Sequence, residues 1–149
     1  MKQMLLQEKY PVFVLELDKN ETRYRSVDEI VAYLKEKISE NPKVQFLGVF
    51  DHLAHTRRIG GEIVPQIQAA VDVLFCFGFA LPNPVVLAVR PRSIGVADLG
   101  NKFVLSFMEA PMAPANEAME SWVRGCALLP ERRRGLGKTV SGPALAPGS

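Results

Sequence analysis

IGVADLGNKFVLSF, residues Ile94–Phe107, is the stretch of sequence that decides the fold class. It predicts two strands, Ile94–Leu99 and Lys102–Phe107, joined at Gly100-Asn101 by a two-residue hairpin turn with glycine first. Strands joined by so short a turn run antiparallel, because a parallel pair needs a long crossover connection. The hairpin therefore favours an α+β fold over a doubly wound parallel sheet.

Upstream of the hairpin, the most clearly marked element is a helix that begins at Ser26. Ser26 and Glu29 form an S-x-x-E capping box, in which each side chain bonds the other residue's backbone N–H at a helix start. The apolar residues that follow recur at helical spacing and form one stripe: Val27, Ile30, Val31, Leu34 and Ile38. Asn41-Pro42 ends the helix, because proline disfavours helical geometry in the residue before it.

Apolar runs between turn residues predict the other elements. The strands predicted outside the hairpin are Tyr10–Leu17, Val44–Phe50, Val73–Phe79 and Val85–Val89. The helices predicted after Asn41 are a short one from Pro65 to Val71, preceded by a loop at 57–64, and a final one with Met119, Trp122, Val123 and Cys126 on one face. Val44–Phe50 is apolar on nearly both faces, which favours a central place in the sheet. The order predicts one twisted, mostly antiparallel sheet with its helices on one face.

Length and charge narrow the class of protein. A chain of 149 residues is expected to form one domain, over residues 1–129, followed by a disordered basic tail at 130–149 rich in Gly, Pro and Ser. The formal charge is +2, from 18 basic and 16 acidic side chains, of which four basic and one acidic follow Pro130. The body of the chain is therefore close to neutral, and its charge gives no reason to expect nucleic-acid binding.

The cysteines and the apolar segments indicate an intracellular setting. Cys76 and Cys126 stand far apart in apolar surroundings, and both are interpreted as small buried hydrophobes. The N-terminal region contains no apolar stretch long enough for a signal sequence or a membrane span. A reduced, cytoplasmic environment without membrane contact is the expectation.

Two blocks of the chain resemble a known bacterial domain. Phe50-Asp51-His52-Leu53-Ala54-His55 and the apolar strand Val73–Gly78 are similar to the DUF302 type, a domain of unknown function. That group shows an Asp-His block, an apolar strand ending in Phe-Gly-Asn-Pro, a β-hairpin and a C-terminal helix, but here an insertion separates Phe77-Gly78 from Asn83-Pro84. The segment Leu87–Val96 is similar to a smaller uncharacterised bacterial family. The resemblance covers roughly residues 10–127 and implies an α+β fold, with no established activity to carry over.

The first candidate site contains both histidines of the chain. His52 and His55 directly follow the strand Val44–Phe50, and imidazoles serve as metal ligands or acid/base groups near neutral pH. A metal ion would need a third ligand, for which Asp51, Glu62 and Cys76 are the nearest in sequence. A structural or surface role for the histidine pair is the alternative. Asp51 is interpreted either as the cap of the following turn or as a general base.

The second candidate site is the pair of arginines that flank Pro91. Guanidinium groups bind carboxylates and phosphates bidentately. If the sheet brings Arg90 and Arg92 beside the end of the second strand, they face Asp51, His52 and Thr56. The alternative is an internal ion pair between Arg90 and Asp51.

Two functions from different classes follow. The first is a small binding protein whose pocket takes an anionic small molecule or a metal-bearing cofactor and is formed by Asp51, His52, His55, Thr56, Arg90 and Arg92. The second is a homodimeric assembly module without a ligand, because strands as apolar as Val85–Val89 need cover on both faces. No nucleophile and base can be paired from the sequence, so catalysis is left open.

Overall fold

The computed structural model describes residues 1–128, and the predicted tail at 130–149 lies outside them. Six strands form one sheet: β1 Lys2–Leu6, β2 Tyr10–Asp18, β3 Val44–Asp51, β4 Ala69–Phe77, β5 Arg92–Asp98 and β6 Lys102–Met108. Their order across the sheet is β1-β2-β6-β5-β4-β3, and every pair of neighbours is antiparallel. The predicted α+β class is confirmed.

The predicted hairpin forms the centre of the sheet. Leu99 N donates a hydrogen bond to Lys102 O at 2.9 Å across the turn. Gly100 has a φ of 92°, in the left-handed region that a residue with a Cβ rarely adopts. The turn sets the register in which Val96 pairs with Leu105. Both of these side chains are buried.

Two long helices, α1 Val27–Ser39 and α3 Ala113–Arg124, cover one face of the sheet. Ser26 caps α1 as predicted, since its Oγ accepts a hydrogen bond from Glu29 N at 3.2 Å. The Glu29 carboxylate bonds the N–H of Arg25 instead of that of Ser26, so the reciprocal half of the capping box is displaced by one residue. The buried residues of α1 are Val27, Ile30, Leu34 and Ile38, and Val31 is partly buried beside them.

The core lies between these helices and the sheet. Its largest fully buried side chains on the strands are Leu17, Val73, Phe75, Ile94, Val96, Phe103 and Leu105. Trp122 of α3 stacks on Phe77, with ring centroids 5.9 Å apart and the planes only 3° from parallel. It also meets the ring of Phe75 edge-on at 5.5 Å. The single tryptophan thus fixes α3 against β4.

The central position predicted for Val44–Phe50 is wrong, because β3 is an edge strand. Leu47, Val49 and Phe50 are exposed there at 50%, 45% and 39%. A bulge between Phe46 and Gly48 shifts the pairing with β4. Gly48 has a φ of 153°, which a side-chain-bearing residue would adopt only under strain.

The strand predicted at Val85–Val89 is also wrong. These residues belong to a 3₁₀ helix, Pro84–Val89, whose first turn is capped by Asn83. The Asn83 side chain accepts hydrogen bonds from the backbone N–H groups of Val85 and Val86 at 2.8 and 3.2 Å. The sixth strand of the sheet is instead β1, which is not among the predicted strands.

The short helix predicted from Pro65 to Val71 does not form. The chain makes a helix earlier, α2 His52–Arg58, and residues from Ala69 onward already belong to β4. Pro65 lies in a turn instead of at a helix start. No helix within residues 1–128 has both the length and the apolar character that crossing a bilayer requires.

Thr22 is the one buried polar side chain among the described residues, and it connects the two ends of the helical layer. Its hydroxyl donates to Cys126 O at 2.7 Å and accepts from Tyr24 N at 3.2 Å. We expect Thr22→Val to lower the free energy of unfolding by about 1–3 kcal/mol, because the Cys126 carbonyl and the Tyr24 N–H lose their partner.

The matched control is Thr22→Ser, which keeps the hydroxyl and loses only a methyl group, a cost of about 1 kcal/mol. Urea unfolding followed by Trp122 fluorescence measures both variants. A Thr22→Val protein as stable as the parent would show that the hydroxyl contributes nothing.

Candidate functional site

The first candidate site is built on the start of α2. Asp51 occupies the N-cap position, and its Oδ1 accepts a hydrogen bond from Ala54 N at 2.9 Å. Of the two roles considered for Asp51, the structure confirms the cap. The cap turns the chain into α2 at the end of β3, so His52 and His55 lie on a helix, three residues apart.

The histidine rings flank the side chain of Phe50. The Phe50 ring centroid lies 5.4 Å from that of His52 and 5.5 Å from that of His55, and the two imidazoles are 6.5 Å apart. His52 Nδ1 lies 3.0 Å from the hydroxyl oxygen of Thr56, and His55 Nδ1 lies 3.2 Å from a guanidinium nitrogen of Arg58. Arginine can only donate, so Nδ1 of His55 is the acceptor in this hydrogen bond. His52, His55 and Thr56 are therefore brought together as predicted.

The predicted metal site lacks a third ligand within residues 1–128. No group of three His, Cys, Asp or Glu side chains comes together in this part of the chain. Of the nominated ligands, Glu62 lines the same small cavity as His52, Asp51 is engaged as the helix cap, and Cys76 lies on β4. A zinc site uses three or four protein ligands. The two histidines thus offer a metal ion only part of what it needs.

The expectation that the histidine and arginine groups share one rim is wrong. Asp51 pairs with Val71 at one end of β4, whereas Arg92 pairs with Phe75 near the other end. Four residues of strand separate these two levels, about 13 Å. Neighbouring strands of an antiparallel sheet run in opposite directions, so the beginning of β5 lies beside the end of β4. The part of β3 that lies beside the end of β4 is likewise the beginning of β3, whereas Asp51 is at its end.

The ion pair considered between Arg90 and Asp51 does not form either. Nη1 of Arg90 donates a hydrogen bond to Ala80 O at 2.7 Å, just past the end of β4 that is opposite to Asp51. Arg90 thus ties the segment after β4 to the segment before β5.

Arg92 lies in a cavity at the end of the sheet between the 3₁₀ helix Pro84–Val89 and the start of α3. We call it the arginine cavity, and it encloses about 280 Å³. Its walls include Phe77, Phe79, Val86, Val89, Met112 and Ala115, and its charged lining residues are Arg90 and Arg92. The guanidinium of Arg92 donates to Val89 O at 3.1 Å and to Met108 O.

The charge of Arg92 has no carboxylate partner within residues 1–128. Burial lowers the pKa of its guanidinium, because removing water disfavours the charged form. The guanidinium is nevertheless charged at neutral pH, since arginine ordinarily titrates far above it. The arginine cavity is therefore an apolar space with a positive charge on one wall.

Sequence reasoning missed the apolar walls of this cavity. They come from segments predicted as strand or loop, and only their assembly around Arg92 makes an enclosed space. The available signal was the run of prolines and large apolar residues between Leu81 and Val89, several of which are exposed in the structure. A second cavity, of about 640 Å³, borders Arg90 and is lined by Leu47, Cys76 and Leu87.

Comparison with known protein families gives a match over nearly all of the described chain. Residues 1–127 match the model of a family of unknown function, DUF6858. The chain belongs to this family. No curated protein matches the sequence. Membership in DUF6858 therefore brings no assigned activity, and the function has to be argued from the site.

A solved structure shares the fold of this DUF6858 member. The crystal structure of an uncharacterized conserved DUF302 protein from Bacillus stearothermophilus superimposes with a TM-score of 0.54 at 13% sequence identity. The match covers 78% of this chain and 94% of that one. The resemblance to the DUF302 type is confirmed as a likeness of fold, and at this identity it carries no function.

The two cysteines differ in their surroundings. Cys126 is buried, as predicted, and desolvation raises the pKa of its thiol to about 12. Cys76 is only half-buried and borders the cavity beside Arg90, so its prediction as a fully buried residue is wrong.

We expect Cys76 to react with iodoacetamide in the folded protein at neutral pH and Cys126 to remain unmodified, because the thiolate is the reactive form. With the pKa of Cys126 raised to about 12, its thiolate fraction falls about tenfold for each unit by which the pH lies below that value. Mass spectrometry of Cys76→Ser and Cys126→Ser proteins separates the two rates. Equal labelling of both thiols in folded protein would contradict the assignment.

Proposed function

We propose that this protein binds a small amphipathic anion in the arginine cavity, with the charged end of the ligand at Arg92 and its apolar end against the surrounding walls. The observation that carries the proposal is the half-buried guanidinium of Arg92, which has no carboxylate partner within residues 1–128 and borders an apolar space. Asp51, His52, His55 and Thr56 lie outside this cavity, and the proposal does not use them.

The charge of Arg92 supports an anionic ligand. Removing a guanidinium from water is unfavourable unless hydrogen bonds and an opposite charge compensate. Two backbone carbonyl oxygens, of Val89 and Met108, supply part of the hydrogen bonding. A guanidinium has five N–H donors, so Arg92 retains donors for a carboxylate. A charge-assisted bond of this kind is stronger in a partly dry cavity than in water.

The start of α3 adds to the positive electrostatic potential that Arg92 creates in the cavity. Met112 is the N-cap residue of this helix and makes no side-chain capping bond, and both Met112 and Ala115 border the cavity. The N-terminus of a helix carries about half a positive charge from its aligned peptide dipoles. An anion in the cavity is therefore attracted by α3 as well as by Arg92.

The walls of the cavity favour a ligand whose apolar part is small. Aromatic and aliphatic side chains such as Phe79, Val86 and Met112 line most of the cavity. Its volume of about 280 Å³ lies just below the range for small-molecule sites, roughly 300–1,000 Å³. A short-chain or monocyclic carboxylate is the class of ligand that this space accommodates.

The competing explanation is that Arg92 only ties two backbone segments together. Its bonds to Val89 O and Met108 O connect the 3₁₀ helix to the end of β6, and such a tie requires no ligand. The two explanations differ in one respect. Only a ligand site distinguishes a charged probe from an uncharged probe of the same shape.

We expect octanoate to raise the melting temperature and to bind with a dissociation constant of about 1 mM or tighter, which corresponds to at least ~4 kcal/mol. Octanol, which has the same chain without the charge, is expected to bind more weakly by at least about tenfold. Differential scanning fluorimetry and isothermal titration calorimetry measure both probes. Equal binding of octanol and octanoate would contradict a role for Arg92 in recognition.

A matched pair of variants locates the site without touching Arg92. Val86→Glu introduces a carboxylate into the cavity wall, and we expect it to abolish octanoate binding by repulsion and by pairing with Arg92. Val85→Glu makes the same substitution one residue earlier, at a side chain that is 74% exposed and borders neither cavity. It is expected to bind like the parent. Loss of binding in both variants, or in neither, would place the octanoate site elsewhere.

A further inference from the structure

The sheet has a second face, which points away from α1 and α3. Alternate residues of each strand point to this side, because neighbouring side chains on a strand alternate between faces. The pairing registers place Phe50, Asp72, Gly95, Ser106 and Val14 in one row across β3, β4, β5, β6 and β2. We call the side of the sheet that contains this row the open face.

The open face carries many apolar residues, together with the charged residues Lys2, Glu16, Asp18, Asp72 and Lys102, of which Glu16 and Lys102 form an ion pair. On β1, β2, β4 and β6 it carries Met4, Leu6, Val12, Val14, Leu74, Val104 and Met108. Leu6 and Met108 are 48% and 44% exposed, and Phe50, whose ring His52 and His55 flank, is 39% exposed. Along β5 the face is flat, because its residues there are the small Ser93, Gly95 and Ala97. A flat centre of small side chains allows close approach by another sheet.

Asp72 stands in the middle of this face with no hydrogen bond or ion pair to any residue within 1–128. The Ser106 hydroxyl, two strands away, likewise makes no side-chain bond there. Gly95 lies between them, and a Cβ added at Gly95 would be 3.5 Å from both Asp72 Oδ1 and Ser106 Oγ. A carboxylate and a hydroxyl therefore flank the flat centre of the open face on opposite sides.

We propose that the open face binds a second copy of this chain, with a two-fold axis running along β5 above Gly95. Such an axis exchanges the two sides of β5, so that Asp72 of each copy meets Ser106 of the other. Each carboxylate then accepts a hydrogen bond from a hydroxyl, twice in the dimer. A partner without a donor at this point would bury the carboxylate unpaired, which is unfavourable.

The same axis also places apolar residues of one copy over apolar residues of the other. It places Phe50 over Val14 of the second copy and Leu74 over Met108, while the small residues of β5 allow the two sheets to approach to about 10 Å. Five strands of each copy overlap, roughly 25 Å by 20 Å or about 500 Å² of projected area. Protruding side chains make the accessible area larger than its projection, near the 600–800 Å² per partner of a specific interface. The open face thus has the size that a stable dimer needs.

The first test changes the charge at one position of this arrangement. Full-length parent protein is expected to sediment as a dimer at micromolar concentration. Ser106→Asp places a carboxylate opposite Asp72 of the other copy, and we expect the dissociation constant to rise at least roughly 100-fold. Ser106→Asn, nearly the same in shape but neutral, is expected to remain a dimer. Circular dichroism and the melting temperature establish that both variants are folded.

The second test locates the axis. In a Cys76→Ser protein, Gly95→Cys places a thiol on the axis, and the contacts at Gly95 leave ordinary van der Waals room for the added Cβ. A short bis-maleimide reagent is expected to link two such chains. The control is Ser39→Cys at an exposed position on α1, on the far side of the sheet, and it is expected to give no linked dimer.

Three results would overturn the proposal. One is a folded parent protein that stays monomeric near about 100 µM, far above the dissociation constant of a typical specific interface; the open face would then serve another partner or a lipid surface. Another is an equal effect of Ser106→Asp and Ser106→Asn on the dimer. The third is a dimer in which Gly95→Cys does not cross-link. None of these results bears on the arginine cavity, because Arg92 points to the side of the sheet that α1 and α3 cover.

Discussion

The register of β5 on β6 is the constraint on which the rest of the structure depends. A two-residue turn at Gly100-Asn101 sets that register, and every side chain of the two central strands is assigned to a face by it. A slip of β5 by one residue would turn Val96 outward and bring Gly95 into the core. The same register carries across β4 to β3 and across to β2, so one local turn fixes both the buried face and the open face of the whole sheet.

The parts of the fold that sequence reasoning predicts correctly are those that neighbouring residues decide. The hairpin follows from its turn, and α1 follows from Ser26 and one apolar stripe, because these interactions span only a few residues. The edge position of β3 was not predictable in the same way, since a run of apolar residues looks alike at the centre and at the edge of a sheet. The strand predicted at Val85–Val89 does not form, because the capping of the 3₁₀ helix by Asn83 outweighs the β-propensity of valine.

The candidate site residues show the same difference between local and long-range interactions. Asp51 caps α2, and His52, His55 and Thr56 come together, because one short helix holds them all. The meeting of the histidine and arginine groups depended on strand order, which no local pattern specifies. Burial of Arg92 likewise depends on α3 and on the segment after β4, which are far apart in the sequence. The sequence thus predicts Arg92 as a binding residue for an anion. It does not predict the apolar surroundings, which strengthen the attraction between the guanidinium and an anion.

The bulge at Gly48 has a consequence for solubility. An unprotected edge strand is a template on which further chains add, and repeated addition produces fibrils. β3 is exposed and apolar, with Leu47 and Val49 on its surface, and would be hazardous if it were straight. The extra residue between Phe46 and Gly48 bends the strand and breaks the regular ladder of free N–H and C=O groups that an incoming chain needs. A glycine at the bulge therefore helps to keep one side of the molecule from growing into an aggregate.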